Sequence, residues 1–367
     1  MLEELLVRDT ESTYSIYIDD SYDDLNRILR EHYSSDIKIC VITDTNVGRI
    51  YLNDMTERLQ NDFPNVHSFV FPAGEAAKRM DTVLSIYRFL LDRHFNRKDI
   101  IIALGGGVVG DMAGFAAATY MRGIDYIQLP TSLLAQVDSS IGGKTGIDLD
   151  GYKNIVGAFK KPAFVYANVH VLRTLEQRQY YNGMGEVLKH GFILDADYLN
   201  YIERRAKDIE MLHEQAVARM VVGSCRIKQS IVARDFRESS VRALLNFGHT
   251  IGHAVEKYAY RDLCHGECVA IGMMAAAHIA LQRKMIDDWY FHRMHSLLSR
   301  FQLPARIPAD IIQYLNAGMI LDAVLSDKKA DTAGIKWILP DGIGKAVILN
   351  DVTSGEVEEA VLYALGQ

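Results

Sequence analysis

A chain of 367 residues is long enough for two or three domains of ordinary size. Its 49% apolar and 24% charged content are those of a globular protein rather than a disordered one. A net charge of −7 and a pI near 6.0 argue against a general nucleic-acid binder, which carries a basic excess, but leave room for a local cationic pocket that takes a small anion.

The opening Met1-Leu-Glu-Glu-Leu-Leu-Val7 has early acids and no cationic leader, so no signal peptide is expected. Residues 268–281 are too few to span a bilayer, and 100–121 are interrupted by glycines and Asp111, so no membrane partner is expected. The cysteines Cys40, Cys225, Cys264 and Cys268 show no disulfide framework, and a reducing cytoplasm fits them best. Cys264-His-Gly-Glu-Cys268 sets two thiols around a histidine. A structural zinc site would need a second ligand pair at similar spacing, and none exists, so ordinary small buried cysteines are expected.

Residues 13–18 alternate like a strand, and Ser21-Tyr-Asp-Asp24 predicts a helix start with a capping box that uses Asp in the usual Glu position. Residues 37–43 and 66–71 are β-branched, strand-like runs; an amphipathic helix is expected up to Leu91, and 99–104 form another apolar strand. Strands alternating with helices predict a mainly parallel, Rossmann-like sheet covered on both faces. Gly105-Gly-Gly-Val-Val-Gly-Asp111 follows the last of these strands and fits G-x-G-x-x-G, in which backbone N–H groups at a helix start approach a pyrophosphate. The loop comes several βα units late for the usual fingerprint, and the acid at a strand end lies upstream, at Asp44. Asp44 and Asn46 are thus candidates for ribose or adenine contacts, with helix capping the competing role for Asp44. Residues 126–129 predict a strand leading into Asp138-Ser-Ser-Ile-Gly-Gly-Lys144, where Lys144 and the nearby Lys153-Asn154 suit an anion. This is not a P-loop, which would need glycine at Ser139.

Residues 164–167 complete the sheet, and from Thr174 the pattern turns helical, which predicts a nucleotide-binding α/β domain over 1–173 and a mainly α-helical domain over 174–367. In 181–191, Glu186, Lys189 and His190 share one helical face; Glu186 either pairs with Lys189 or His190 or ligates a metal. His249 and His253 stand four apart, with Leu244, Phe247, Ile251 and Val255 at the spacing of one apolar helical face. Two such imidazoles suit metal binding, or one ligand beside one proton-transfer group. A Glu with two His and an open position is a catalytic zinc set; Glu186, His249 and His265 would make one, leaving His253 for proton transfer. Residues 268–281 predict a buried helix, and 335–339 with 346–349 a hairpin turning at Pro340-Asp-Gly342.

Five stretches in this order resemble the 3-dehydroquinate synthases: Gly105-Gly-Gly-Val-Val-Gly-Asp111, Val137-Asp-Ser-Ser-Ile-Gly-Gly-Lys-Thr145, Gly185-Glu-Val-Leu-Lys189, Leu245-Asn-Phe-Gly-His-Thr-Ile-Gly-His-Ala254 and His265-Gly-Glu267. The resemblance implies that Glu186, His249 and His265 hold one divalent metal, zinc or cobalt. It implies NAD contacts from Asp44, Asn46, Glu75, Lys78, Gly106, Gly107, Val108, Asp111, Thr131, Ser132, Lys144, Lys153 and Thr174. The substrate would be a phosphorylated sugar acid, 3-deoxy-arabino-heptulosonate 7-phosphate, met by Lys144, Asn154, Lys228, Arg242 and one of Lys328 or Lys329. Arg122 would reach the partner's site in a homodimer. His253, Lys189, Asp138 and Asn246 would serve the chemistry: transient oxidation by NAD, phosphate elimination, re-reduction, ring opening and aldol closure. The rivals are a sister cyclase, such as 2-deoxy-scyllo-inosose synthase or 2-epi-5-epi-valiolone synthase, and a metal- and NAD-dependent alcohol or glycerol dehydrogenase. The sister cyclases' substrates lack the carboxylate for which Arg242 is suited.

Overall fold

The computed structural model describes residues 3–8, 13–236, 238, 240–328 and 335–367, with side chains apart from those of 326–328. These fall into two units, Met1–Leu175 and Glu176–Gln367. Among the described residues no helix is long and apolar enough to cross a membrane.

Unit 1 contains strands β1 (Glu3–Arg8), β2 (Thr13–Asp19), β3 (Lys38–Asp44), β4 (Asn65–Phe71), β5 (Ile100–Gly105), β6 (Asp125–Pro130), β7 (Lys144–Leu149), β8 (Tyr152–Phe159) and β9 (Phe164–Asn168). Seven of them form one sheet in the order β1-β2-β9-β6-β5-β3-β4. Only the edge pair β1–β2 is antiparallel; the other neighbours run parallel. The unbroken apolar runs of β3 and β5 follow from burial on both faces. Ile39 and Val41 pack with Ile100, Ile102 and Leu104 against Leu25, Ile28 and Leu59 of the helices α1 (Leu25–His32) and α2 (Thr45–Gln60). Cys40 and Ile42, with Ile101 and Ala103, face Val83 and Ile86 of α3 (Met80–Asp92) and Met112 and Ala116 of α4 (Gly107–Thr119). Successive residues thus feed two cores. Residues 100–104 are at most 2% exposed, and each of their large side chains contributes about 1.5–3 kcal/mol by leaving water.

One local expectation in this unit fails. The capping box at Ser21 does not form: α1 begins at Leu25, Ser21 Oγ accepts from the Asp23 N–H at 3.3 Å, and Asp24 pairs with Arg27 at 3.1 Å. Residues 144–159, which hold Lys144 and Lys153-Asn154, form an antiparallel hairpin, β7–β8. Leu149 pairs with Tyr152 around Asp150-Gly151, at φ of 50° and 84°. Asp-Gly with two positive φ values is the two-residue turn that matches strand twist.

Unit 2 is mainly helical: α5 (Gln177–Leu194), α6 (Ala196–Arg204), α7 (Ala206–Glu210), α8 (Glu214–Arg234), α9 (His249–Ala259), α10 (His265–Gln282) and α11 (Asp288–Arg300), then shorter elements and a last helix, Ser354–Ala364. Apolar nearly all round, α10 is the central helix, against which α5, α9, α11 and the last helix pack. Trp337–Pro340 and Ala346–Leu349 form the expected hairpin. The apolar face read through 244–255 is not one helix. Val241–Asn246 are 3-10 turns, and Gly248, at φ 79°, breaks the chain before α9 starts at His249.

Candidate active site

In unit 1 the glycine motif lies where β5 hands over to α4. A Cβ on Gly105 would stand 2.4 Å from Val109 Cγ2, and one on Gly110 would stand 2.6 Å from Gln128 Oε1, so neither position takes a side chain without rearrangement. Gly106 precedes the helix as its cap residue, with Ser132 and Ser139 beside Gly106 and Gly107. The first N–H groups of α4 have no acceptor within the helix, and with no side chain on these glycines they are open to an anionic ligand. Thr131 is buried here, its N–H donating to the Gly105 carbonyl at 2.9 Å, and Val108 packs at the edge of the core.

Beside the motif, Lys78 is 4% exposed, and its Nζ donates to Asp111 Oδ2 at 2.6 Å and also to Asn154 Oδ1. Glu75 Oε1 lies 3.9 Å from the same ammonium. Burial pushes the Asp111 carboxyl up to about 6 even though Lys78 opposes the shift. Burial also works against the charged form of Lys78, but Asp111 and Glu75 outweigh it and raise that group. Asn154 joins this cluster from β8 with φ 53°. Asp44 caps α2, accepting from the Asn46 and Val47 N–H groups at 2.8 and 2.9 Å. Thr174 Oγ1 hydrogen-bonds Tyr51 Oη. Lys144, Lys153 and Arg122 are exposed, Arg122 with φ 67°; Asp138 lies in the π-helical turn Ala135–Ser139.

In unit 2 three helices bring their ligands together through backbone-to-backbone contacts that only glycine permits. A Cβ on Gly185 would lie 2.8 Å from the Gly266 carbonyl, which sets α5 against the start of α10. A Cβ on Gly252 would lie 2.8 Å from the Cys268 carbonyl, which sets α9 against α10. Glu186 adjoins Gly185, and His265 adjoins Gly266. Glu186 is fully buried, and neither of its oxygens has a hydrogen-bond partner of good geometry among the described residues, although the Lys189 ammonium abuts Oε2. Its Oε1 lies 3.8 Å from His249 Nε2 and 3.7 Å from His265 Nε2. Donors around a tetrahedral ion with bonds of about 2.1 Å stand about 3.4 Å apart, close to the two separations from Glu186, and all three ligand atoms lie within 4.8 Å of one another. The set leaves a fourth position open. His253, exposed, stacks edge-on to His249 with ring centroids 4.9 Å apart and lies 6.1 Å from the His265 ring.

The electrostatics suit a cation. Burial opposes the charged form of Glu186, but Lys189 and the two histidines outweigh it and hold the carboxyl well below its usual range. Burial and the Lys189 charge push His249 well below the ordinary imidazole value, so its lone pair is available. Burial also disfavours charge on His265, yet the facing carboxylates of Glu186 and Glu256 push it up to about 10. A cation replacing that proton would satisfy the same two acids. Nearby in sequence, Lys228 and Arg242 are buried at 5% and 3% exposure, Arg242 donating to the Phe236 carbonyl, and Asn246 Nδ2 donates to Glu238 Oε1 at 2.8 Å. Lys329 and the Lys328 side chain lie outside the described residues.

Sequence reasoning overlooked several groups. Glu256 hydrogen-bonds His265, although its place seven residues after His249 put it on the ligand face of α9. Arg178 makes a bidentate pair with Glu267, at 2.9 and 2.8 Å, which fixes the α10 start and carried no local signal. His190 Nδ1 meets Ser224 Oγ of α8 at 2.7 Å, a partner with no local signal in the sequence.

A solved 2-deoxy-scyllo-inosose synthase, complexed with carbaglucose-6-phosphate, NAD+ and Co2+, superposes with TM-score 0.88 over 99% of this chain and 100% of its own, at 25% identity. A 2-epi-5-epi-valiolone synthase from Streptomyces hygroscopicus subsp. jinggangensis, with NAD+ and Zn2+ bound, also gives 0.88, over 97% of each chain at 27% identity. The fold is that of the sugar phosphate cyclases. Within that class, the N-terminal family model of 3-dehydroquinate synthase matches residues 68–182 and the C-terminal model residues 183–330. A 3-dehydroquinate synthase of Thermoanaerobacter sp. (strain X514) is 44% identical over 342 residues, 93% of this chain and 94% of its own. The chain belongs to the 3-dehydroquinate synthase family, and the family's synthase activity is its function.

Proposed function

We propose that the chain acts as a phosphate-eliminating carbon–oxygen lyase that converts 3-deoxy-arabino-heptulosonate 7-phosphate to 3-dehydroquinate. NAD bound in unit 1 and one divalent ion, zinc or cobalt, held by Glu186, His249 and His265 are its cofactors. The observation that carries this reading is the convergence of the fully buried Glu186 carboxylate on two imidazoles, 3.8 and 3.7 Å away. The NAD+ and Co2+ or Zn2+ of the two cyclase structures support it.

When bound, the ion supplies Lewis acidity at a substrate oxygen and NAD supplies reversible hydride transfer, the chemistry that a transient oxidation followed by phosphate loss requires. The chain's own residues hold and neutralise. Lys189 keeps Glu186 ionised although it is buried. Lys228 and Arg242, already desolvated, offer two cations to a substrate bearing a phosphate and a carboxylate, and buried cations cost less once such partners arrive. Asn246 adds a neutral donor, and Lys144, Asn154 and one of Lys328 or Lys329 complete the anion contacts. His253, one helical turn beyond His249 and open to solvent, accepts and returns a proton on an imidazole nitrogen. Asp138 serves the chemistry with it. Asp44, Asn46, Glu75, Lys78, Asp111, Thr131, Ser132, Lys153 and Thr174 surround the nucleotide with Gly106, Gly107 and Val108. The Lys78–Asp111 pair gives it one buried cation and one acceptor. The working form is a cytoplasmic homodimer in which Arg122 reaches the partner's substrate.

The rivals are not favoured: the sister cyclases are 25–27% identical, against 44% for the dehydroquinate synthase. Phosphate and dehydroquinate are expected in equal amounts from the substrate at trace NAD, with no build-up of NADH. Steady NADH accumulation with a simple polyol would mark a dehydrogenase instead.

A further inference from the structure

His265 has two ring nitrogens, and they face two different carboxylates. Nε2 lies 3.7 Å from Glu186 Oε1, and Nδ1 lies 3.2 Å from Glu256 Oε2. An ionised carboxylate only accepts, so Glu256 holds a ring proton on Nδ1, and Nε2, the side that meets Glu186 and His249, is the nitrogen left to meet a cation. His249 is set in the same tautomer by a different anchor: its Nδ1 donates to the Phe247 carbonyl at 3.2 Å. One ligand ring is therefore fixed by backbone and the other by a side chain.

The anchors of the α10 start divide the same way. Its backbone is held by Glu267, which accepts from the Cys264 N–H at 2.7 Å and from Arg178, and by Asn182 Oδ1, which accepts from the Gly266 N–H at 2.6 Å. None of these touches the imidazole. Among the hydrogen bonds described, only Glu256 grips the ring itself, from a side chain 10% exposed on the neighbouring helix.

The geometry points to Glu256 as the positioning residue of the metal centre, acting through His265: it fixes that ring's tautomer and angle and strengthens its donor nitrogen toward a cation. This rests on the reading of Glu186, His249 and His265 as the metal ligands. The competing arrangement is a second cation held by His253, Glu256 and His265, whose ligand atoms also come close enough together. The 3.2 Å contact, a hydrogen-bond distance, favours a proton there, and the number of ions bound tells the two apart.

The test is zinc affinity, measured by competition with a chromophoric chelator, for the full-length chain and for Glu256→Ala, Glu256→Gln, His265→Ala and the Glu256→Ala/His265→Ala pair. Glu256→Ala is expected to lose about ten- to hundredfold in affinity, as outer partners of ligating histidines do. Glu256→Gln keeps an accepting oxygen and is expected to lose less, so it carries the test if the alanine variant does not fold. In the His265→Ala background, Glu256→Ala is expected to cost nothing further. Unchanged affinity in folded Glu256→Ala overturns the proposal. So does an equal loss in the His265→Ala background, which would mark a general packing effect, and so does a wild-type count of two zinc ions that falls to one in Glu256→Gln. A wild-type chain that binds no zinc overturns the metal reading itself.

Discussion

The glycine loop of unit 1 and the histidine cluster of unit 2 reach ligand-binding geometry by opposite means. At residues 105–110 the chain removes side chains, so that backbone N–H groups at the start of α4 are bare; the charge complement is a helix end. Around Glu186 the chain buries side chains instead, and a carboxylate with no hydrogen-bond partner of good geometry among the described residues is kept ionised by Lys189 and two imidazoles. The first kind of site is limited by sterics and depends little on any one functional group. The second is limited by charge, so losing one member leaves the others buried and uncompensated. Glycine serves both: Gly105 and Gly110 make room for Val109 and Gln128 around the loop in unit 1, and Gly185 and Gly252 make room for a neighbouring helix in unit 2.

That contrast can be broken in several ways. The largest effect is expected from His249→Ala: metal content and turnover should vanish together, beyond the about hundredfold loss of an outer partner, as read by elemental analysis beside a phosphate-release assay. His253→Ala should keep its metal and lose about 10²–10⁴ in kcat, the usual scale of proton-transfer catalysis; loss of metal in this variant would contradict the division of labour between the two histidines. Gly106→Val should weaken NAD by roughly tenfold or more, the result of a crowding cost of about 1–3 kcal/mol, while zinc affinity stays at the wild-type value; calorimetric titration of both ligands checks this. The smallest effect lies away from both sites, where the Arg283 guanidinium holds the Glu356 carboxyl at about 2, below its ordinary 4.5. A depressed carboxyl stabilises the fold above its unfolded value, and that contribution is lost as pH falls from about 4.5 to about 2. Glu356→Gln should therefore lower the melting temperature at pH 7 and converge with wild type near pH 2.

What could be read from the sequence follows from how local each feature is. The strand–glycine–helix handover at 100–111 is contiguous, so pattern alone located it. Glu186 with Lys189, and His249 with His253, are helical neighbours and were equally plain. That His265 joins them depends on Gly185 meeting Gly266, a contact between distant stretches that periodicity does not encode; ligand chemistry, a Glu with two His, suggested the set, and family resemblance agreed with it. Glu256 was within reach, on the same face of α9 as both histidines, but one more acid on a helix carries no signal until its partner is known. The β7–β8 hairpin was hidden because its lysines and glycines read as an anion loop, although Asp150-Gly151 is a strong turn signal. At Ser21 the opposite happened: a capping pattern was present, and the chain used the serine in a turn ahead of the helix.

The central claim is that one cation, held by Glu186, His249 and His265, makes this chain a working synthase. The direct measurement strips the chain with chelator, then titrates zinc or cobalt back while following phosphate release from 3-deoxy-arabino-heptulosonate 7-phosphate at fixed NAD. Activity should be absent at the start, rise linearly and level off at one ion per chain. Full turnover in the metal-free chain, or a plateau reached only at two ions, would contradict it.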